Sequence, residues 1–156
     1  MKIILSFILI LTCGLRTIVT DPIIEFVPGL SAYTDYEDGL AKAQSSQKPV
    51  LIYFKDKRSG SCTKIEKNVF SDDKVKAYIS KTFLVICLAT EDSSPSSKNP
   101  KLKTAGEYNY HIQRSKYKKD YQPYIAILNK KGEFVKGVDY TSDPSDFLKS
   151  LKGTKF

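Results

Sequence analysis

A continuous apolar run, followed by a lone cysteine at the start of a helical pattern, constrains this chain more than any other feature. Residues 50–54 (Val-Leu-Ile-Tyr-Phe) are β-branched, aliphatic or aromatic, which is typical of a strand buried on both faces of an α/β sheet. A short polar turn containing Ser59 follows, and Cys62 then begins a helical pattern. The N-terminal end of a helix carries partial positive charge that favours a thiolate. The segment therefore predicts a cysteine site at the end of a buried strand.

Strand and helix patterns alternate along the rest of the chain. Apolar runs predict strands over 23–27, 50–54, 83–89, 124–128 and 133–138. Helical spacing predicts helices over 35–43, over 60–81 with a break and a new cap at 71–73, over 107–116 and over 144–151. Asp35 and Asp143 are the predicted caps of the first and last helices. Strands interleaved with helices, followed by a late hairpin, predict an α/β fold with a central mixed sheet flanked by helices.

The first residues have the pattern of an export signal. Residues 3–15 are nearly all apolar and follow Lys2, and the run is too short to span a bilayer. We therefore predict a signal peptide over residues 1–20, a mature domain over residues 21–156, and a periplasmic or secreted protein. Ile10-Leu11-Thr12-Cys13 resembles a loose lipobox, so a lipid anchor at Cys13 is the alternative to simple cleavage.

Charge and cysteine content exclude several classes of function. The chain has a net charge of +8, but its basic residues are scattered and no basic helix or RNA motif is present, so we expect no nucleic-acid partner. The mature region has two cysteines, too few for a disulfide scaffold. These cysteines and His111 lack the spacing of a zinc site, so we expect no metal and no cofactor. Cys87 lies within a predicted central strand, where we expect it to pack in the core.

Four short segments carry a resemblance to a known family. From about Tyr36 to Phe156 the chain resembles bacterial thioredoxin-like domains, especially the C-terminal domain of the membrane thiol:disulfide interchange reductases. The matching segments are Gln47-Lys48-Pro49-Val50, Cys62-Thr63-Lys64-Ile65-Glu66-Lys67-Asn68-Val69-Phe70-Ser71-Asp72, Gln113-Arg114-Ser115-Lys116-Tyr117 and Gln122-Pro123-Tyr124. The resemblance implies a thioredoxin-like fold.

The resemblance also implies a site in which one cysteine is replaced. The family has an aromatic residue and then C-x-x-C at the turn from strand to helix. Here Arg58 stands near the aromatic position, Ser59 replaces the first cysteine and Cys62 matches the second. Pro123 matches the cis-proline that faces the dithiol across the substrate groove. The resemblance thus implies Cys62 and Ser59 as catalytic positions, and Pro123, Gln122, Tyr124 and Arg58 as substrate-binding positions.

The missing sulfur limits the chemistry. Disulfide exchange needs an attacking thiolate and a second thiol to resolve the mixed disulfide. Ser59 cannot attack, because no candidate base stands near it in sequence. We therefore predict an exported protein with a role in thiol–disulfide exchange or redox homeostasis, acting at most as a monothiol through Cys62 on protein or small-molecule thiols and disulfides. Whether the protein is an enzyme stays open.

Three alternatives remain open at this point. Cys62 is either a reactive monothiol or an inert helix residue, since the helix end favours ionisation and burial opposes it. In the second case the protein is a redox-inactive binding module that holds protein or peptide partners in the groove beside Pro123. A disulfide between Cys62 and Cys87 would need Cα atoms within about 7 Å, which the depth of the strand disfavours. The tyrosines near this region are expected mainly in the core and at the rim (Tyr108, Tyr110, Tyr117, Tyr121 and Tyr124). The alternative is that they line a groove that receives an extended peptide beside Pro123. The protein is expected to be a monomer.

Overall fold

The computed structural model describes residues 23–154, in which six strands form one mixed sheet flanked by helices. The strands are β1 (Ile23–Val27), β2 (Leu30–Tyr33), β3 (Val50–Lys55), β4 (Leu84–Ala89), β5 (Tyr124–Leu128) and β6 (Phe134–Val138). Their order across the sheet is β1-β2-β4-β3-β5-β6. This arrangement confirms the predicted α/β class with a central mixed sheet.

Strand β3 lies in the middle of the sheet because its residues are apolar on both faces. Residues 50–54 are all buried. β3 pairs in parallel with β4 and antiparallel with β5. At the end of β3, Phe54 lies opposite Leu88 on one side and Tyr124 on the other. Because β5 runs antiparallel to β3, the first residue of β5 lies beside the last residues of β3.

Five α-helices cover the sheet: α1 (Tyr36–Ser46), α2 (Gly60–Ile65), α3 (Asp73–Thr82), α4 (Ala105–Tyr117) and α5 (Pro144–Lys152). A π-helical segment, Glu66–Phe70, continues α2 up to a break before α3. The side chains of Asp35, Asp72 and Asp143 accept hydrogen bonds from backbone N–H groups in the first turns of α1, α3 and α5. These contacts confirm the predicted caps at Asp35 and Asp143 and the predicted new cap after residue 71.

The core has two halves, one on each face of the sheet. Side chains alternate along β3, so Leu51 and Tyr53 point to one face while Ile52 and Phe54 point to the other. The first face packs against α2, the π-helical segment, α3 and α5. The second face packs against α1 and α4. Helices from both faces therefore reach the end of the sheet where β3 stops and β5 begins.

Strand β2 was not predicted. It pairs antiparallel with β1 across a turn at Pro28-Gly29 and meets β4 at a single pair, Tyr33 and Ile86. Four residues are too few for an alternating pattern to identify a strand, and the pairing of β2 depends on its neighbours in space. The predicted signal peptide over residues 1–20 lies outside the described residues. Among the helices of residues 23–154, none has the length and apolar character that crossing a membrane requires.

Candidate functional site

The sheet topology brings the two separate parts of the predicted site together. Ser59 and Cys62 follow β3, and Pro123 immediately precedes β5. The peptide bond between Gln122 and Pro123 is cis. Residues 118–123, here called the groove loop, run from the end of α4 to this bond. The first turn of α2 and the groove loop thus lie at the same end of the sheet.

Ser59 joins these two parts directly. It is the N-cap of α2, and its Oγ accepts a hydrogen bond from the backbone N–H of Cys62 at 3.4 Å. The same hydroxyl donates to the carbonyl oxygen of Gln122 at 3.3 Å. A hydroxyl can do both because it is a donor and an acceptor. Ser59 therefore makes a structural link at the position where the family resemblance expects a cysteine.

Cys62 lies in the first turn of α2 but is covered. The residue is 1% exposed, and its Sγ accepts a hydrogen bond from the backbone N–H of Asp56 at 3.5 Å. The Cys62 N–H and the Gln122 carbonyl oxygen both contact the Ser59 hydroxyl, so the first turn of α2 and the groove loop are linked beside this buried cysteine.

Cys87 is a buried thiol of β4, as predicted. It is 3% exposed, and burial raises the pKa of its thiol to about 12. Both Cys62 and Cys87 are free thiols in this structure. At neutral pH Cys87 is therefore protonated and enclosed by the sheet, and it is a poor candidate for exchange.

Arg58 lies on the exposed side of the turn before α2. Its guanidinium forms an ion pair with Asp56, with Nη2 2.6 Å from Oδ2, and its Nε donates to Oδ1 at 2.9 Å. This contact holds the pKa of the Asp56 carboxyl below its usual value. The pairing fixes the turn that carries the Asp56 N–H toward Cys62.

The three predicted groove residues differ in burial. Pro123 is buried, Gln122 is half-buried, and Tyr124 is 2% exposed. The ring of Tyr124 packs against Phe54, and burial raises the pKa of its phenol to about 12. Tyr124 thus belongs to the core beneath the groove loop. Of the other nearby tyrosines, Tyr117 is also buried, Tyr121 is exposed, and Tyr108 and Tyr110 are half-buried.

A polar network of the buried Tyr53 with the half-buried Lys55 and Glu66 lies near Cys62 and was not predicted. Tyr53 donates its hydroxyl to Glu66 Oε1 at 3.1 Å, and Lys55 Nζ lies 2.7 Å from the same oxygen. Burial holds the pKa of the Tyr53 phenol above its usual value. Burial alone would lower the pKa of Lys55, but the contact with Glu66 and the nearby Cys87 and Glu91 together outweigh burial and raise that pKa. Glu66 is four residues after Cys62, a spacing that places both on one side of the helix and that would have been the sequence signal.

Gln113 is another residue for which the sequence predicted no role at the site. Its side chain on α4 is fully buried, with 0% exposure. Nε2 donates to the carbonyl oxygen of Tyr121 at 2.8 Å, and Oε1 accepts from Gln122 Nε2 at 2.8 Å. Both polar ends of this amide therefore contact the groove loop. His111, on the same helix, is exposed.

The cleft that continues from Gln122 is acidic, although the chain as a whole is basic. It has a volume of about 490 Å³. Its charged lining residues are one arginine, Arg58, and five carboxylates: Asp56, Glu91, Asp92, Glu107 and Asp120. The local charge is therefore opposite in sign to the net charge of the protein.

A mixed sheet with helices on both faces, in which a helix begins directly after the central strand β3, is the arrangement of a thioredoxin-like domain. Residues 31–130 match the family model described as Thioredoxin-like. The chain therefore belongs to the thioredoxin-like family. No curated protein matches the sequence significantly.

Solved structures share this fold. A thioredoxin from Thermus thermophilus is 22% identical, with a TM-score of 0.58 over 76% of this chain and 82% of that chain. A putative disulphide-isomerase from Bacteroides thetaiotaomicron is 23% identical, with a TM-score of 0.57 over 76% and 85%. The oxidised C-terminal domain of DsbD from Neisseria meningitidis is 11% identical, with a TM-score of 0.58 over 80% and 99%. At these sequence identities the structural similarity establishes the fold alone and does not establish an activity.

Proposed function

We propose that this protein takes part in thiol–disulfide exchange as a monothiol, with Cys62 as the reacting sulfur. The proposal is supported by the thioredoxin-like family and by neighbours in structure that are described as a disulphide-isomerase and as DsbD. The observation that carries it is the position of Cys62. Its sulfur lies in the first turn of α2 and accepts a hydrogen bond from the Asp56 N–H. Ser59, three positions earlier in the sequence, contacts the groove loop through its hydroxyl.

The proposed reaction is a single exchange. The thiolate of Cys62 attacks one sulfur of a partner disulfide, the S–S bond of the partner breaks, and its other sulfur leaves as a thiolate that takes up the proton lost by Cys62. The product is a mixed disulfide between Cys62 and the partner. Ser59 cannot resolve it, and Cys87 is a protonated core thiol, so release requires an external thiol of a small molecule or of the partner. This exchange requires no cofactor.

Thiol labelling tests the proposal directly. Native protein is treated with a small alkylating reagent from pH 6 to pH 9, and the modified cysteine is identified by mass spectrometry. We expect Cys62 to be labelled near neutral pH in the wild type and in Cys87→Ser, with no labelling of the core in Cys62→Ser. Labelling of Cys62 only after unfolding would contradict the monothiol role.

The burial of Cys62 favours a second candidate function. At 1% exposure the sulfur is covered, while Tyr121 on the groove loop is 45% exposed. In this alternative the protein is a redox-inactive binding module that holds an extended segment of a protein partner beside Pro123. The substrate-binding roles of Pro123, Gln122 and Arg58 apply to both candidates.

Affinity capture separates the two candidates. The monothiol role predicts that Cys62→Ser no longer yields reducible adducts with partner proteins. The binding role predicts that Cys62→Ser retains the same partners without any covalent adduct and that Pro123→Ala loses them. Reducible adducts that the wild type forms and Cys62→Ser loses support the monothiol role, whereas a wild type that captures the same partners without any adduct contradicts it and supports the binding role.

We also propose that the protein is exported to the periplasm or secreted, on the basis of the apolar segment after Lys2. In a bacterial host we expect a processed N-terminus near residue 21 and digestion by protease added to spheroplasts. A mass increase on an N-terminal Cys13 would instead identify a lipid anchor. Full protection together with an intact N-terminus would contradict export. We expect a monomer by light scattering.

A further inference from the structure

Gln113 is a buried polar residue whose hydrogen bonds all go to the predicted groove. It is 0% exposed, and such groups are tolerated in a core only when both their donor and acceptor atoms are satisfied. Nε2 contacts the Tyr121 carbonyl oxygen, and Oε1 accepts from the Gln122 side chain, each at 2.8 Å. The amide is therefore anchored to two consecutive residues of the groove loop.

The groove loop needs such an anchor because its backbone begins in an unfavourable conformation. Lys118 caps the end of α4 with a φ of 57°, in the left-handed region that favours glycine or asparagine. The loop then crosses from α4 to the start of β5 in five further residues. Lys118 holds the turn at its start by donating its backbone N–H to the Arg114 carbonyl oxygen and its Nζ to that of Ser115. The side chain of Gln113 holds the loop further along, at Tyr121 and Gln122.

Ser59 holds the same loop from the opposite side. Its hydroxyl donates to the Gln122 carbonyl oxygen, whereas Gln113 accepts from the Gln122 side chain. Gln122 is thus fixed between α2 on one face of the sheet and α4 on the other. The two contacts, one at the carbonyl oxygen of Gln122 and one at its side chain, together hold the groove loop in place next to the turn that carries Cys62.

We propose that Gln113 is a positioning residue of the groove: through its amide it fixes Tyr121 and Gln122 next to Pro123, and it thereby sets the access to Cys62 and the shape presented to a partner. The inference rests on the proposed function only in that the groove is the site of partner contact. A glutamate at position 113 would lack the donor, and an aliphatic residue would lack both atoms.

Gln113→Met tests the proposal with little change in side-chain length. Asn109→Leu is the matched control, since Asn109 is the other buried amide of α4 but donates to Ala89 O in β4. Gln122→Met removes the contact from the loop side at a half-buried position, so it remains informative if Gln113→Met folds poorly. Each variant is compared with the wild type at denaturant concentrations that give equal free energies of unfolding.

Two readouts are measured: hydrogen exchange of the peptide spanning residues 118–124, and the labelling rate of Cys62. The loss of one buried hydrogen bond corresponds to about tenfold faster local opening. Gln113→Met loses two hydrogen bonds to the groove loop and Gln122→Met loses one of them, so we expect at least about tenfold faster exchange and labelling in the first and about tenfold in the second. The double variant should show no further increase over Gln113→Met, and Asn109→Leu should change by less than about twofold.

Equal exchange of residues 118–124 in Gln113→Met and the wild type would overturn the inference, as would an equal increase in Asn109→Leu. If Cys62 fails to react in every folded variant while exchange of the groove loop still accelerates in Gln113→Met, the monothiol function is wrong and the positioning role stands. The two failures are therefore distinguishable.

Discussion

Cys62 and Cys87 are almost equally buried, at 1% and 3% exposure, but their surroundings differ. Cys62 lies at a helix end and receives the Asp56 N–H, and the Ser59 hydroxyl beside it contacts the groove loop. Cys87 lies inside β4, which pairs along its length with β3. We expect a local movement to uncover Cys62 more readily than Cys87, whose exposure requires separation of central strands. The comparison indicates that the surroundings of a buried thiol, and not its exposed fraction alone, bear on whether it can react.

The largest expected effect comes from restoring the missing sulfur. Ser59→Cys places a second thiol in the same helical turn as Cys62, so we expect an oxidisable pair. We expect at least about tenfold more insulin reductase activity than the wild type with dithiothreitol as donor, and a reduction potential between roughly −270 and −120 mV, the range of such pairs. Cys87 is expected to contribute nothing, so Ser59→Cys/Cys87→Ala should retain the activity.

Two controls sharpen this result. Ser61→Cys adds a thiol next to Cys62 but at the wrong spacing, and we expect it to stay inactive. Pro123→Ala in the Ser59→Cys background should weaken the activity by changing the groove. If Ser59→Cys forms no disulfide with Cys62 under oxidising conditions, the alignment of the site is wrong. Strong wild-type activity that survives Cys62→Ser would refute the assignment of the sulfur.

Serine substitution should separate the two cysteines by stability. Cys87→Ser buries a hydroxyl in the sheet, which we expect to cost about 2 kcal/mol. Cys62→Ser keeps the Asp56 N–H as a hydrogen-bond partner, so we expect a loss of about 1 kcal/mol. Urea denaturation measures both free energies of unfolding. Equal losses would show that the backbone contact at Cys62 does not distinguish the two environments.

Features that depend on neighbouring residues in the chain could be predicted from the sequence, whereas features that depend on distant residues could not. Continuous apolar runs identified β3, β4 and β5, because a strand buried on both faces needs such a run wherever it lies. Asp35 and Asp143 identified helix starts, because a cap acts on its own next turn. β2 was missed because four residues carry too little pattern, and its pairing partners are distant in the chain.

The candidate site shows the same division. Cys62 and Pro123 could be selected from the sequence because each belongs to a short segment with a family resemblance, and Ser59 because it stands three residues before Cys62, at the first position of the C-x-x-C pattern. The contacts of Gln113 with Tyr121 and Gln122 could not, since they depend on how α4 packs on the sheet. The link from Tyr53 and Lys55 to Glu66 likewise joins a strand to a helix. Local sequence patterns thus identified the residues of the candidate site, whereas the contacts that support them became visible only in the folded structure.

Part of the expected loss of stability at alkaline pH comes from Cys87, and the comparison with Cys87→Ala separates it from the contribution of the buried tyrosines. Burial raises the pKa of this thiol from 9.0 to about 12, so the unfolded chain loses its proton first and stability falls as pH rises through this range. Between pH 8 and pH 10 we expect the wild type to lose about 1.4 kcal/mol more than Cys87→Ala. Urea denaturation at both pH values measures the difference. Parallel losses in the two proteins would contradict the role of Cys87 in this pH dependence.

The smallest expected effect concerns the hydroxyl that replaces the first sulfur. Ser59→Ala removes the cap of α2 and the contact with the Gln122 carbonyl oxygen, and we expect it to cost about 1 kcal/mol. Ser61→Ala, two residues along the same turn, is the matched control and should change stability by less than about 0.5 kcal/mol. Because the Ser59 contact also holds the groove loop, Ser59→Ala should raise the labelling rate of Cys62 while leaving Cys87 protected until the protein unfolds. If Ser59→Ala is as stable as Ser61→Ala and labels Cys62 no faster, the hydroxyl is merely tolerated at this position, and the difference between the two cysteines arises from the helix end alone.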